Sequence, residues 1–211
     1  AIGRTDRPQA TSIRRRVCFS EALHLGEMLV EDVCARRAGT AQEALDIAAA
    51  GDIAVLADPE CALLPQLHPA ALVDAILAKH NLGTHRNMAP VVVAVGPGFT
   101  AGEDCHAAVE TMRGHTLGRV IYCGSPIPNT GVPGIIGGYG AERVNGQPML
   151  CTIDGCLRGL LQEGLTVPAG MKCGDIDPRC QQSHCFQASD KALAVGGGVL
   201  EALLHFGCRP D

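Results

Sequence analysis

The segment Pro90-Val91-Val92-Val93-Ala94-Val95, followed directly by Gly96-Pro97-Gly98-Phe99-Thr100-Ala101-Gly102, decides the fold class. An unbroken apolar run rich in β-branched residues does not alternate, so it predicts a strand covered on both faces, as in a parallel sheet flanked by helices. Toward the N-terminus, Ala70–Lys79 places apolar residues at helical spacing. Before it, Asp52–Ala57 reads as a buried strand that breaks at Asp58-Pro59, and Ala41–Ala50 as a short Ala-rich helix. Toward the C-terminus, Thr100-Ala101-Gly102-Glu103 has the spacing of a capping box, which predicts a helix over Ala101–Arg113 closed by Gly114. Arg119–Cys123 is then a third strand. Helices alternating with such runs indicate an α/β fold built on a parallel sheet.

The pattern changes at Gly124–Gly140, where nine of seventeen residues are Gly or Pro and no regular element fits. An irregular stretch of that length is usually functional or mobile. Over Met149–Pro178, short apolar runs separated by Asp154-Gly155, Glu163-Gly164 and Ala169-Gly170 predict a small β unit with hairpin-like turns. Ser189–Phe206 reads as a closing helix in which Asp190 serves as the cap and Lys191 as its neighbour. Its Gly196-Gly197-Gly198 costs about 1 kcal/mol per glycine relative to Ala. Either a backbone or ligand approaches closely there, or the helix breaks.

Composition limits the functions open to this chain. Its 211 residues are 46% hydrophobic and 18% charged, which excludes disorder. Seventeen basic and 22 acidic side chains leave a net charge of −5, and four Phe, two Tyr and no Trp give no stacking series. Nucleic acid is therefore not an expected partner. The apolar runs fall far short of the roughly 20 residues of a membrane span, so no membrane partner is expected and a cytoplasmic location is. The start, Ala-Ile-Gly-Arg, lacks an apolar signal region and an initiator Met, and reads as a processed or truncated N-terminus.

The eleven cysteines include no Cys-x-x-Cys pair. Their reading is reduced thiols that behave as small hydrophobes. Cys180, His184 and Cys185 form a minor alternative, a metal site that would still need a fourth ligand. A disulfide framework is not expected in a chain of this length.

In a parallel sheet, ligands bind beyond the carboxyl ends of the strands. The loop after Val95 has Gly at 96, 98 and 102 and precedes the expected helix, an arrangement that presents N–H groups to an anion. Its spacing is one residue off the dinucleotide fingerprint, and the alternative is a tight turn that needs glycine for backbone geometry. On the expected helix, His106, Glu110 and Arg113 share one face, with His115 just beyond. A carboxylate one turn from a His suits acid–base chemistry, against the alternative of a solvated polar stripe. Gly-x-Ser-x-Gly, His-Glu-x-x-His and Gly-Lys-Ser/Thr motifs are all missing from the sequence.

Several strings together resemble the YqeB-like family. They are Arg14-Arg15 with Phe19-Ser20-Glu21-Ala22, Asp74–Lys79, Pro97–Gly102, His106-x-x-x-Glu110-Thr111 with Arg113-Gly114-His115, Asn129–Gly134 with Gly137-Gly138-Tyr139, and Ser189-Asp190-Lys191 ending in Gly-Gly-Gly-Val-Leu-Glu-Ala. The resemblance implies a Rossmann-like domain over 1–145 whose N-terminal strand is absent, the chain starting after it. It further implies a small β unit over 146–180, similar to half of a biotinyl/lipoyl domain, and a C-terminal helix over 181–211 packing back on the core. No Met-Lys-Met acceptor is present, and His80 stands where the family tends to have Arg.

The family is described as accessory to selenium-dependent molybdenum hydroxylases. The resemblance accordingly implies a bacterial maturation factor that binds molybdenum cofactor, in its pterin-dinucleotide form or as a precursor, at the strand ends. Gly96, Gly98, Thr100, Gly102 and Asn129 would contact this phosphorylated ligand, and His106, Glu110, Arg113 and His115 would line the site. The apo-hydroxylase is the expected protein partner, with a second copy of the chain as a further one. One alternative is a sulfur or selenium transferase with Cys105 or Cys185 as carrier. Another is a non-catalytic chaperone that docks through the Gly/Pro loop.

Overall fold

The computed structural model describes residues 1–7, 9–128, 143–144, 147–148, 151, 153–167 and 171–209. Their contacts gather into two units, Ala1–Glu60 with Gly131–Gln187, and Cys61–Thr130 with Ala188–Asp211. This division falls elsewhere than the sequence boundaries at 145 and 180. Elements are numbered along the chain.

In the first unit, β1 (Ile2–Thr5), α1 (Ala22–Leu25), β2 (Glu27–Val30), β3 (Val33–Arg37), α2 (Ala41–Ala49) and β4 (Ile53–Ala57) build a sheet of order β1-β4-β3-β2. Its pairs are parallel except for the β2–β3 hairpin. The helix α2 starts where sequence places it because the Thr40 hydroxyl accepts the Glu43 N–H, while the Glu43 carboxylate accepts the Gly39 N–H. A strand does precede Arg14-Arg15 within the chain. Ile2-Gly3-Arg4-Thr5 has no apolar run to announce it, and pairing with β4 makes it extended. Ala22, Ala35 and Val55 form the core, with Phe19, Met28 and Ile53 against them.

The later part of this unit holds the pairs β9 (Arg143–Val144) with β10 (Gln147–Pro148) and β11 (Cys156–Leu160) with β12 (Gly174–Asp177), both antiparallel. The second lies within the stretch 149–178, for which the sequence predicts a small β unit. Its register shifts between Leu157 and Gly159, so Arg158 sits in a bulge.

The second unit has α3 (Leu64–Leu67), β5 (Ala71–Asp74), β6 (Val91–Val95), β7 (Ala107–Val109), β8 (Val120–Ile121) and α4 (Asp190–His205). Its sheet runs β5-β6-β7-β8, parallel except for β8. All five residues of β6 are buried, as the unbroken run predicts. Val92 and Ala94 pack with Phe99, Cys105 and Ala108 on one face. Val91 and Val93 pack with Ala107, Val109 and Ala202 on the other, beneath Val195, Val199 and Leu203 of α4. Each fully buried valine contributes on the order of 1.5–3 kcal/mol.

Two expected helices are strands or turns. Ala71–Asp74 pairs with β6, and the chain then passes through left-handed backbone at Leu77 (φ 61°) and Lys79 (φ 68°), which a helix cannot contain. The capping-box spacing at Thr100 closes only one turn: Glu103 and Asp104 donate their N–H groups to the Thr100 carbonyl, and the Thr100 N–H donates to Asp104. Gly102 lies inside that turn at φ 95°, outside the helical region, and burial of Ala107–Val109 beside β6 makes them extended.

The helix α4 runs unbroken through its three glycines, and its cap is Ser189, whose hydroxyl accepts the Ala192 N–H, rather than Asp190. The glycines are not equivalent. A Cβ at Gly198 would collide with the Gly118 carbonyl oxygen and press on Val109, whereas Gly196 and Gly197 face open space. Gly198→Ala should therefore destabilise the protein by about 1–3 kcal/mol through overpacking. Gly196→Ala and Gly197→Ala should each stabilise it by about 0.5–1 kcal/mol. Urea unfolding of the three variants measures both signs, and equal effects at all three positions would refute the close-approach explanation.

Candidate functional site

The strand ends of the second unit were the expected site, and the structure disperses its residues. In a strand, residues four apart share a face but lie about 13 Å apart along the chain. His106 and Glu110 therefore sit at opposite ends of β7. The His106 Nδ1 accepts the Val92 N–H at 3.0 Å, and burial, then the Arg86 charge, push its pKa down. Glu110 is buried and fully engaged: Oε1 accepts the N–H groups of Thr111 and Met112, and Oε2 that of Ile127, each at 2.7 Å. Arg113 forms an exposed ion pair with Asp190 at 3.0 Å, and His115 is exposed beyond it. These groups cannot act together as an acid–base set on one helix face.

The glycine loop keeps its geometry and loses its anion-binding rationale, because no helix follows it. Gly96, Gly98 and Gly102 all have positive φ (90°, 102° and 95°), and a Cβ at Gly98 would strike the His80 backbone. Gly96 donates its N–H to Val109, Ala101 to Gly124, Gly102 to Cys105, and Thr100 to Asp104. The Thr100 hydroxyl pairs with Ser125 at 3.0 Å. Beside the loop lies an open depression of about 410 Å³ that holds Lys79. Asn129 lies outside the described residues.

Cys105 is fully buried, and burial pushes its thiol up to about 11, so it cannot serve as an exposed sulfur carrier. It is also the one core cysteine: Cys123 and Cys180 are exposed, and the other eight are partly covered. Among the described residues, no group of His, Cys, Asp or Glu side chains is arranged to hold a metal ion, Cys180, His184 and Cys185 included.

The first unit contains a larger cavity, of about 1040 Å³. Arg15, Arg16 and Glu21 line it from two short 3-10 turns, Arg15–Val17 and Phe19–Glu21. The Glu21 side chain is only 2% exposed; its Oε2 accepts the Arg15 Nε–H at 2.9 Å, while its Oε1 has no hydrogen-bond partner. Arg16 stacks over Phe186 at 5.4 Å and has no carboxylate partner among the described residues. Across the cavity stands Arg158, together with Cys156, Cys180 and Cys185.

That second wall is an ion-pair network. Arg158 donates from Nε and Nη2 to Asp175 Oδ2 (2.9 and 2.6 Å) and reaches Asp177 from Nη1 at 3.2 Å. Arg179 Nη2 meets Asp177 at 2.8 Å, and His184 Nδ1 meets it at 3.3 Å. The Arg179 side-chain hydrogen bonds, working against burial and joined by the Arg179 N–H, His184 and Arg158, hold the Asp177 carboxyl well below the usual range. Burial alone would raise Asp175, but Lys172 and then Arg158 outweigh it and hold it below its ordinary value.

Sequence analysis singled out only Cys185, and the Cys180–His184–Cys185 cluster, from this cavity. Arg15 and Glu21 stand in the strings that carry the family resemblance, but nothing in their spacing suggested a shared site.

Both carboxylates are depressed, so their stabilising contribution is complete above the unfolded carboxylate pKa of about 3.9 and is lost as pH falls through the folded values. The urea midpoint should thus fall as pH drops below about 5. Asp177→Asn should lower the midpoint at neutral pH, by leaving Arg158 short of a partner, and should flatten the acid limb. An acid limb identical in slope to that of the unaltered chain would contradict the network's role.

Among curated proteins, the chain is 47% identical over 222 aligned residues to "Uncharacterized protein YqeB" of Escherichia coli (strain K12). The match covers 92% of this chain and 41% of that protein, so the chain spans less than half the length of its relative. No family model matches the chain, and no solved structure matches it. Among the described residues, no helix is long and apolar enough to cross a membrane.

Proposed function

Because the chain belongs to the YqeB-like family, we propose that it is an accessory factor in molybdenum-hydroxylase maturation that binds the phosphorylated pterin cofactor as cargo in the cavity of the first unit. The observation that carries this reading is Glu21, a buried carboxylate with one oxygen paired to Arg15 and the other without a partner beside a cavity of about 1040 Å³. A buried acceptor left unsatisfied costs free energy that an entering donor recovers. The amino-pyrimidinone edge of a pterin presents adjacent N–H donors suited to a carboxylate. Its phosphate groups suit guanidinium partners, and Arg16 at the rim is the cation without a carboxylate partner among the described residues. The volume also suits a ligand of that size.

The glycine loop of the second unit supports cofactor binding less well, since its N–H groups at 96, 100, 101 and 102 already have acceptors. Anaerobic calorimetry with cofactor released from a molybdenum hydroxylase tests the assignment. Glu21→Gln should weaken binding about 10- to 100-fold, the usual effect of removing hydrogen bonds to a charged group. Thr100→Val, in the loop, should leave affinity unchanged. Binding that survives Glu21→Gln and is lost in Thr100→Val would return the site to the loop, and no binding by the unaltered chain would remove the cofactor from the reading.

A further inference from the structure

Three thiols converge on the start of β11. Cys156 opens that strand and stands opposite Asp177, the last residue of β12. The chain then reverses through Pro178 and Arg179, and Cys180 donates its N–H back to the Asp177 carbonyl at 3.2 Å. Cys180 holds φ at 53°, a left-handed conformation uncommon for a residue with a side chain. The reversal sets Cys180 beside the start of β11, on the same cavity wall as Cys156. Cys185 follows on a 3-10 turn, its thiol 3.9 Å from the Leu157 carbonyl. All three line the cavity that also holds Arg15 and Arg16.

We propose that Cys180 and Cys156 form a thiol–disulfide exchange pair that reduces a small anionic disulfide entering this cavity. The two cysteines differ in the way such a pair requires. Cys180 is exposed and can be reached by a ligand, whereas Cys156 is partly covered. Burial first, and the neighbouring Cys180 and Cys185 sulfurs next, hold the Cys156 thiol above its ordinary range and keep it protonated in reserve. The Cys180 thiolate attacks one sulfur of the ligand, forming a mixed disulfide and expelling the other half as a thiolate. That leaving thiolate takes up the proton that Cys156 gives up. Cys156 then attacks the Cys180 sulfur, and the second half of the ligand leaves as a thiolate and gains from solvent the proton that Cys180 lost at the start. The ligand disulfide gains two electrons and becomes two thiols, and the cysteine pair becomes a disulfide. The arginines select for negative charge on the ligand. The assignment rests on the thiols and does not depend on pterin binding.

Oxidised glutathione is the probe. The reduced chain is incubated with it, quenched by acid and alkylation, and mapped by non-reducing peptide mass spectrometry. A Cys156–Cys180 cross-link should form in the unaltered chain and equally in Cys185→Ser. Cys156→Ser should instead accumulate glutathione on Cys180, and Cys180→Ser should form neither product. The neutral hydroxyethyl disulfide should react more slowly than oxidised glutathione, and Arg16→Glu should narrow that difference. A Cys180–Cys185 or Cys156–Cys185 cross-link as the main product, glutathione retained on Cys185 alone, or Cys180 left reduced would each overturn the proposal.

Discussion

The wall of the cavity that carries the cysteines depends on one buried carboxylate. Asp177 ends β12, and its oxygens receive Arg158 from the neighbouring strand, Arg179 from the turn, and His184 from the 3-10 segment beyond. Three separate pieces of chain are thereby fixed to one point. A charge withdrawn from water is tolerable only when partnered this completely, and removing one partner strands the others. The bulge at Arg158 belongs to the same constraint, because the irregular register is where its guanidinium bridges Asp175 and Asp177 at once. Cys156, Cys180 and Cys185 each lie on one of the pieces tied together in this way.

The parts of the fold legible in the sequence were those whose pattern admits one solution. Val91–Val95 reads as a strand buried on both faces and Ala41–Ala50 as a short helix, and the structure has both. The segment after Gly102 was ambiguous. A spacing of four residues keeps His106 and Glu110 on one side under either periodicity, but a helix sets them about 6 Å apart and a strand about 13 Å. Pairing with β6 decides between these, and that partner is not encoded locally. The one closed turn at Thr100 is a real fragment of the expected cap, but Gly102 inside it lies outside the helical region.

The cavity was less legible for a related reason. Cys185 and His184 stand out as neighbours in sequence, but Cys156 joins them only through the register that sets it against Asp177. Arg15 and Glu21 are six residues apart, a separation that places them on one side of neither a regular helix nor a single turn. Their 2.9 Å contact arises because two successive 3-10 turns fold the chain back on itself.

The contrast between the two candidate sites reduces to which polar groups are left over. Backbone N–H groups buried in a turn are nearly always satisfied, and those of Gly96, Thr100, Ala101 and Gly102 follow that rule with carbonyl and carboxylate partners inside the unit. Its glycines are explained by positive φ and by the proximity of His80. Glu110 is satisfied in the same way, by three backbone N–H groups. Glu21 differs, since a carboxylate as buried as Glu110 keeps one oxygen without a hydrogen-bond partner in a residue that lines a cavity. A fold that can satisfy Glu110 three times over has the means to satisfy Glu21. An unsatisfied buried acceptor in a residue that lines a cavity is therefore the feature in which Glu21 departs from Glu110.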